Sequence, residues 1–133
     1  MYGKVNFETE YLNGKSLNSK IMDENGQLYE NSKDIKGLIK EYDHKGNLTF
    51  DGEYLNGKRN GKGKEYNNNG KLLFEGEYLN GKRNGKGKHY YSDGNLLFEG
   101  EYSNGKRNGK GKEYDYNGNL EFEGEYLNGK RCN

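Results

Sequence analysis

Phe50-Asp51-Gly52-Glu53-Tyr54-Leu55-Asn56-Gly57-Lys58-Arg59-Asn60-Gly61-Lys62-Gly63-Lys64-Glu65-Tyr66, completed by Asn67-Asn68-Asn69-Gly70-Lys71-Leu72, is a unit the chain writes more than once. It returns almost unchanged from Phe74 and from Phe98, and its first half returns from Phe122. Gly52, Gly76, Gly100 and Gly124 mark the same place in each copy, 24 residues apart. A fixed period of this length is the signature of a repeat array, in which neighbouring units bury a surface that no unit buries alone.

Composition agrees with an array better than with a compact globule. Only 29% of the 133 residues are hydrophobic, and Tyr and Phe supply about half of that set, since aromatics are 14% of the chain. There are 22 glycines and no proline. Such a polar, Gly-rich chain would often be disordered, but disorder does not require aromatics at regular positions. The 22 basic and 21 acidic residues leave a net charge of +1, so there is no general pull on nucleic acid. Cys132 is the only cysteine, which excludes an internal disulfide framework and a Cys-based zinc site. Met1 to Glu10 holds no apolar run, so neither a signal peptide nor a membrane-spanning helix is read there. A reducing, cytoplasmic setting is therefore expected, and the sequon Asn47-Leu48-Thr49 is taken as chance.

Each full unit, roughly 49–72, 73–96 and 97–120, contains two short runs of β character. In the first, Phe50, Gly52 and Tyr54 share one face because side chains alternate along a strand. The second runs from Gly61 to Tyr66. Asn56 to Asn60 between them is a hairpin turn signal, and Asn67 to Lys71, Ser92 to Asn95 and Tyr116 to Asn119 are turns between units. No segment places apolar residues at helical spacing. The expected fold is all-β, an elongated single-layer antiparallel meander of repeated hairpins with essentially no helix. The structural core of the repeats is assigned to Phe50, Gly52, Tyr54, Gly61 and Gly63, then Phe74, Gly76, Tyr78, Gly85 and Gly87, then Phe98, Gly100, Tyr102, Gly109 and Gly111, and finally Phe122, Gly124 and Tyr126. Glycine weakens a strand, so Gly52 and Gly63 need a reason. Aromatic rings of neighbouring strands are expected to lie over them and form one spine along the sheet.

Residues 1–48 are read as an N-terminal cap with worn repeats, continuous with the array at 49–133, which holds three full units and a terminal half. Phe7 to Lys15 matches Phe50 to Lys58, with Thr9 in place of Gly, and Gly37 to Tyr42 matches Gly61 to Tyr66. Terminal repeats are usually atypical because they cap the stack.

Glu75-Gly76-Glu77-Tyr78-Leu79-Asn80-Gly81-Lys82-Arg83-Asn84-Gly85-Lys86-Gly87 resembles the MORN (membrane occupation and recognition nexus) repeat. That pattern is aromatic, x, Gly, x, aromatic, then Asn-Gly, then Gly-x-Gly, and all three full units carry it. The 24-residue period and the link Asn69-Gly70-Lys71-Leu72 look like the family's longer variant. Tyr54, Tyr78, Tyr102 and Tyr126 stand where Trp is common, and Asn60, Asn84 and Asn108 where His or Asp is often found. The resemblance implies a twisted sheet of successive hairpins that serves as a scaffold or attachment device, and contact with acidic phospholipids has been proposed for some members. It also implies a module that can be appended to an enzyme.

The sharpest candidate for a binding edge is the basic pair repeated as Lys58-Arg59, Lys82-Arg83, Lys106-Arg107 and Lys130-Arg131. Placed in equivalent turns, these cations are expected to line one long edge, where anionic lipid headgroups add about 1 kcal/mol per residue. The competing reading is that they solubilise turns, while the strand lysines pair with Glu53, Glu77 and Glu101. The units carry five basic against three acidic residues, four against three, and four against four, a balance that favours the competing reading. Tyrosines at strand spacing are packing elements before they are nucleic-acid platforms, so no nucleic acid is expected. Gly57 to Lys62 fails as a phosphate loop, because its spacing is one short and Gly63 follows the lysine. His44 and His89 stand without catalytic or metal-binding company, and the turns at Asp93 and Asp115 lack calcium-loop spacing. No cofactor, metal or catalytic residue is expected, and Cys132 is read as an incidental thiol.

The expected function is thus a non-enzymatic scaffold that binds a protein partner. The alternatives are a peripheral adaptor for acidic phospholipids and the regulatory array of an enzyme whose catalytic part lies elsewhere. The setting would be cytoplasmic, with membrane or cytoskeletal association open. The last strand, Phe122 to Leu127, lacks its mate and is expected to be an edge able to pair with another copy, although Glu123 and Glu125 discourage strangers. Analytical ultracentrifugation over a concentration series checks this expectation; a strict monomer at high concentration counts against it.

Overall fold

The computed structural model describes residues 34–132 and, earlier in the chain, the strand residues 3–6, 11–12, 15–16, 21–22 and 28–29. Nine strands form an antiparallel meander: β6 (Gly37–Tyr42), β7 (Leu48–Leu55), β8 (Lys58–Tyr66), β9 (Leu72–Leu79), β10 (Lys82–Tyr90), β11 (Leu96–Ser103), β12 (Lys106–Tyr114), β13 (Leu120–Leu127) and β14 (Lys130–Arg131). Each pairs with the next, and no α-helix occurs among the described residues. The free edge of β6 is covered by β1 (Gly3–Asn6), which runs parallel to it with Gly3 opposite Ile39. This parallel pairing departs from the expected meander. A parallel partner needs a long crossover, which the intervening chain supplies. Short antiparallel pairs lie within that crossover: β2 (Tyr11–Leu12) with β3 (Lys15–Ser16), and β4 (Ile21–Met22) with β5 (Leu28–Tyr29). The worn copy inferred at residues 7–15 otherwise lies outside the described residues.

Local chemistry sets the register. Asn56 and Gly57 have φ of 52° and 80°, the left-handed pair that a two-residue type I′ loop requires. Asn80, Asn104 and Asn128 repeat it with their following glycines. Each loop is tied to the unit before it, because the Gly81 N–H donates to the Arg59 carbonyl at 2.9 Å and the Gly105 N–H to the Arg83 carbonyl at 2.8 Å. At the opposite rim, Asn67 Oδ1 accepts from the N–H groups of Asn69 and Lys71, and Asp43 and Asp115 shape equivalent turns.

The core lies on one face of a single layer. Phe50, Phe74 and Phe98 are completely buried, and Tyr54, Tyr78, Tyr102 and Tyr126 nearly so. Their rings form one chain of edge-to-face contacts. Phe50 lies 6.0 Å from Tyr54 and 5.3 Å from Tyr78, Phe74 lies 5.2 Å from Tyr102, and Phe98 lies 5.1 Å from Tyr126. Each such pair adds about 0.5–1.5 kcal/mol beyond area burial. Glycine opposite glycine makes room for the rings, with Gly52 facing Gly63, Gly76 facing Gly87 and Gly100 facing Gly111. A β-carbon on Gly87 would stand 2.5 Å from Cζ of Phe74, inside contact distance.

Gly87→Ala is therefore expected to destabilise the array by roughly 1–3 kcal/mol through overpacking. Urea unfolding followed by circular dichroism measures it, and an unchanged midpoint would show that the ring does not rest on this glycine.

Candidate functional site

A single sheet has no second layer to cover its rings, and the chain covers them with arginine. The Arg59 guanidinium sits over the Phe50 ring at 4.1 Å, Arg83 over Phe74 at 4.0 Å, Arg107 over Phe98 at 4.1 Å and Arg131 over Phe122 at 4.8 Å. Pairing explains the placement, since Arg59 stands opposite Tyr54 and Arg83 opposite Tyr78, on the aromatic face.

A carboxylate from two strands earlier clamps three of these four cations. Glu41 accepts from Arg59 Nε at 2.8 Å and Nη2 at 2.9 Å, and from the Tyr54 hydroxyl at 2.6 Å. Glu65 does the same for Arg83 at 2.9 and 3.2 Å and for Tyr78 at 2.5 Å. Glu113 serves Arg131 at 3.0 and 2.8 Å and Tyr126 at 2.6 Å. The planar two-pronged fit is the strong form of arginine–carboxylate recognition. Burial alone would raise the Glu65 pKa, but the bonds from Arg83 and Tyr78 outweigh it and hold the carboxyl below its usual range. The Arg131 bonds, with Tyr126 assisting against burial, pull Glu113 down to about 2. Burial, and then the carboxylate, push the Tyr54 and Tyr78 hydroxyls well above the ordinary value.

The row breaks once. Positions 41, 65 and 113 carry Glu, and the equivalent position 89 carries His. The Tyr102 hydroxyl is buried there with no hydrogen-bond partner. Arg107 reaches forward instead, with Nη1 3.3 Å from Glu113 Oε1. Burial, and then the cations of Arg83 and Arg107, lower the pKa of His89, so its neutral form is favoured.

The expected basic edge is thereby corrected by half. Arg59, Arg83 and Arg107 are not free cations on a turn. They lie in strands and cap the core, because the two-residue loop ends before them. Lys58, Lys82, Lys106 and Lys130 are exposed beside the loops. Lys58, Lys82 and Lys130 stand opposite Leu55, Leu79 and Leu127, which are 49%, 50% and 60% exposed, and Lys106 stands opposite Ser103. The expected cross-strand pairing of lysines with Glu53, Glu77 and Glu101 holds in register for two of the three, Lys62 opposite Glu77 and Lys86 opposite Glu101, while Leu38 faces Glu53. These carboxylates accept the backbone N–H groups of Lys62, Lys86 and Lys110 at 2.6, 2.6 and 2.8 Å. The cause is a bulge in each of β8, β10 and β12, where Gly61, Gly85 and Gly109 take φ near 105° and the next amide loses its strand partner.

The other face of the sheet carries a groove of about 960 Å³ that crosses the strands. Glycines from Gly52 to Gly124 form its floor. Charged side chains flanking each glycine line it in alternating sign, because Asp51, Lys64, Glu75, Lys88, Glu99, Lys112 and Glu123 stand opposite one another from strand to strand. Tyr90 and Tyr114 brace this wall by donating to Glu75 and Glu99 at 2.9 Å each. The lining offers no nucleophile beside a base. Among the described residues, no group of three or more His, Cys, Asp or Glu is placed to hold a metal ion.

The MORN repeat family model matches residues 50–71, 74–96, 98–120 and 122–133, which is most of the hairpin array. The chain belongs to the MORN repeat family. No curated protein gives a match. The MORN repeat is a non-catalytic repeat module, in keeping with a face of packed rings and a face of paired charges.

Within these MORN units, the clamping carboxylates escaped the sequence reading. Glu41 and Arg59 are 18 residues apart, and only strand register joins them. A signal was present nonetheless: Lys64-Glu65-Tyr66 and Lys112-Glu113-Tyr114 bracket Lys88-His89-Tyr90, so one copy in the series lacks the acid.

The pH response follows from the direction of each shift. His89 titrates below its ordinary 6.5 in the fold, so its contribution is complete above that value and is lost as pH falls through the lowered one. Glu65 and Glu113 titrate below their ordinary 4.5, so their contribution is complete above it and is lost as pH falls further, for Glu113 toward about 2. Thermal midpoints between pH 8 and pH 2 are expected to fall in these two stages. His89→Glu should remove the first stage and raise stability at neutral pH by about 1–3 kcal/mol, the worth of a charge-assisted hydrogen bond.

Proposed function

We propose that this chain is a non-enzymatic scaffold that holds an extended segment of a partner protein in the glycine-floored groove. The observation that carries this reading is the groove's continuity. One floor runs from Gly52 to Gly124, across every full unit, with no side chain rising from it. Bare backbone lets a ligand chain approach closely, and the alternating walls offer it both signs of charge at each strand. Because Lys and Glu stand opposite each other, the walls are close to neutral as a whole, which suits a polypeptide of mixed charge better than a polyanion.

A second reading rests on the hairpin edge. Lys58, Lys82, Lys106 and Lys130 follow one another there, three of them beside half-exposed leucines, a combination that suits the surface of an anionic membrane. Among the described residues no helix is long and apolar enough to cross a membrane, so contact through this edge would be peripheral.

Panning a displayed peptide library on the whole chain tests the first reading. Selected peptides are expected to lose affinity by about tenfold or more when Lys64, Lys88 and Lys112 are changed together to Glu. Equal binding to this variant, with its circular dichroism unchanged, would remove the groove from consideration. Liposome flotation with phosphoinositides tests the second. Reversal of Lys58, Lys82, Lys106 and Lys130 to Glu should abolish flotation if the edge is the contact. The arginines are left intact because they hold the core together.

A further inference from the structure

We propose that the break in the clamp row at His89 is a carboxylate-binding site, in which a free carboxylate or a partner's Asp or Glu side chain supplies the acid that Glu41, Glu65 and Glu113 supply elsewhere. The site lies on the aromatic face, away from the groove, and does not depend on what the groove holds.

The other repeats serve as its template. Three times the same two residue types, a buried tyrosine hydroxyl and an arginine fork, converge on one carboxylate. The fourth time both are present and the carboxylate is not. Tyr102 is 6% exposed, and its hydroxyl, which must donate to something, finds no acceptor. A buried donor left unmade is destabilising, and an arriving acceptor relieves it. Arg107 keeps its seat over Phe98 but lacks the two-pronged bond. Its one acidic neighbour, Glu113, is already bonded to Arg131 and Tyr126.

Charge points the same way. Arg83 is matched by Glu65 and Arg131 by Glu113, which leaves Arg107 as the cation without an acid of its own. The groups facing the gap are Glu65 from β8, Arg83 and His89 from β10, Tyr102 from β11, and Arg107 and Glu113 from β12. The Arg107 side chain is 21% exposed, so a ligand reaches it from solvent. A planar carboxylate is the chemistry named because its two oxygens match the Nε and Nη2 donors that the other arginines present. When protonated, the His89 ring adds a further donor toward an anion.

The test uses the full chain, labelled for NMR at the arginine side chains and histidine ring, at constant ionic strength in chloride. Acetate is expected to shift the Arg107 Nε–H and the His89 ring saturably and to raise the titration midpoint of His89. In His89→Glu, a residue the fold already accepts at three equivalent positions, the built-in acid fills the gap and the acetate response should vanish. In Tyr102→Phe, which removes only the donor, acetate affinity should fall about tenfold, as expected for loss of a hydrogen bond to a charged group. A blocked tripeptide with a central Glu distinguishes the source. Tighter binding than acetate assigns the site to a partner's side chain, and equal binding assigns it to a free carboxylate. No saturable response in the wild type, an undiminished response in His89→Glu, or saturation by inorganic phosphate but not by acetate would each overturn the proposal.

Discussion

A sheet one layer thick has to bury aromatic rings without an opposing layer, and that constraint governs the rest of this structure. The rings rest their Cζ ends on glycine, so the strands must carry glycine in facing positions. The outer side of each Phe is closed by a guanidinium, so arginine must sit opposite Tyr, just past the loop. Three of the four cations held against a ring are also neutralised, by a carboxylate that arrives from two strands before. Phe50, Gly63, Arg59 and Glu41 are four answers to one problem. Dispersion, cation–π attraction and charge-assisted hydrogen bonding here do what a second sheet does in a sandwich.

The sequence made the array legible because its period, its Asn-Gly loops and its alternation are all local. Asn56-Gly57 announces a two-residue loop by chain chemistry alone, and Phe50, Gly52 and Tyr54 announce one face by spacing. Arg59 was misplaced for a physical reason. A Lys-Arg pair after a loop reads as solvation, and only cross-strand register shows that one member turns inward while the other stays in water. Glu53 was misread likewise, since the bulge that claims its carboxylate is a property of φ at Gly61 rather than of composition. Substitution at a single repeated position, His89 for Glu, carries information only once the role of that position is known from the folded chain.

The two faces of the MORN array divide the labour of the same glycines. Toward the rings, the missing side chain admits an aromatic edge. Away from them, where side chains at these positions do not point, their backbone floors the groove between charged walls. A side chain added at a Gly pair would therefore press on the rings. The Lys and Glu that flank the floor are exposed or half-buried.

The reach of each clamp has a mechanical consequence. Glu65 belongs to one unit, while Tyr78 and Arg83 belong to the next, so the clamp is a rivet across the joint rather than a part of either plate. The loop bond from Gly81 to Arg59 lies across the same joint. The joint between the second and third full units keeps its loop bond, Gly105 to Arg83, but its rivet lacks the carboxylate head. The array is thus a beam scored at one known place. A carboxylate seated at His89 would act as a splint, making ligand occupancy and the bending stiffness of the whole ribbon two readings of one equilibrium.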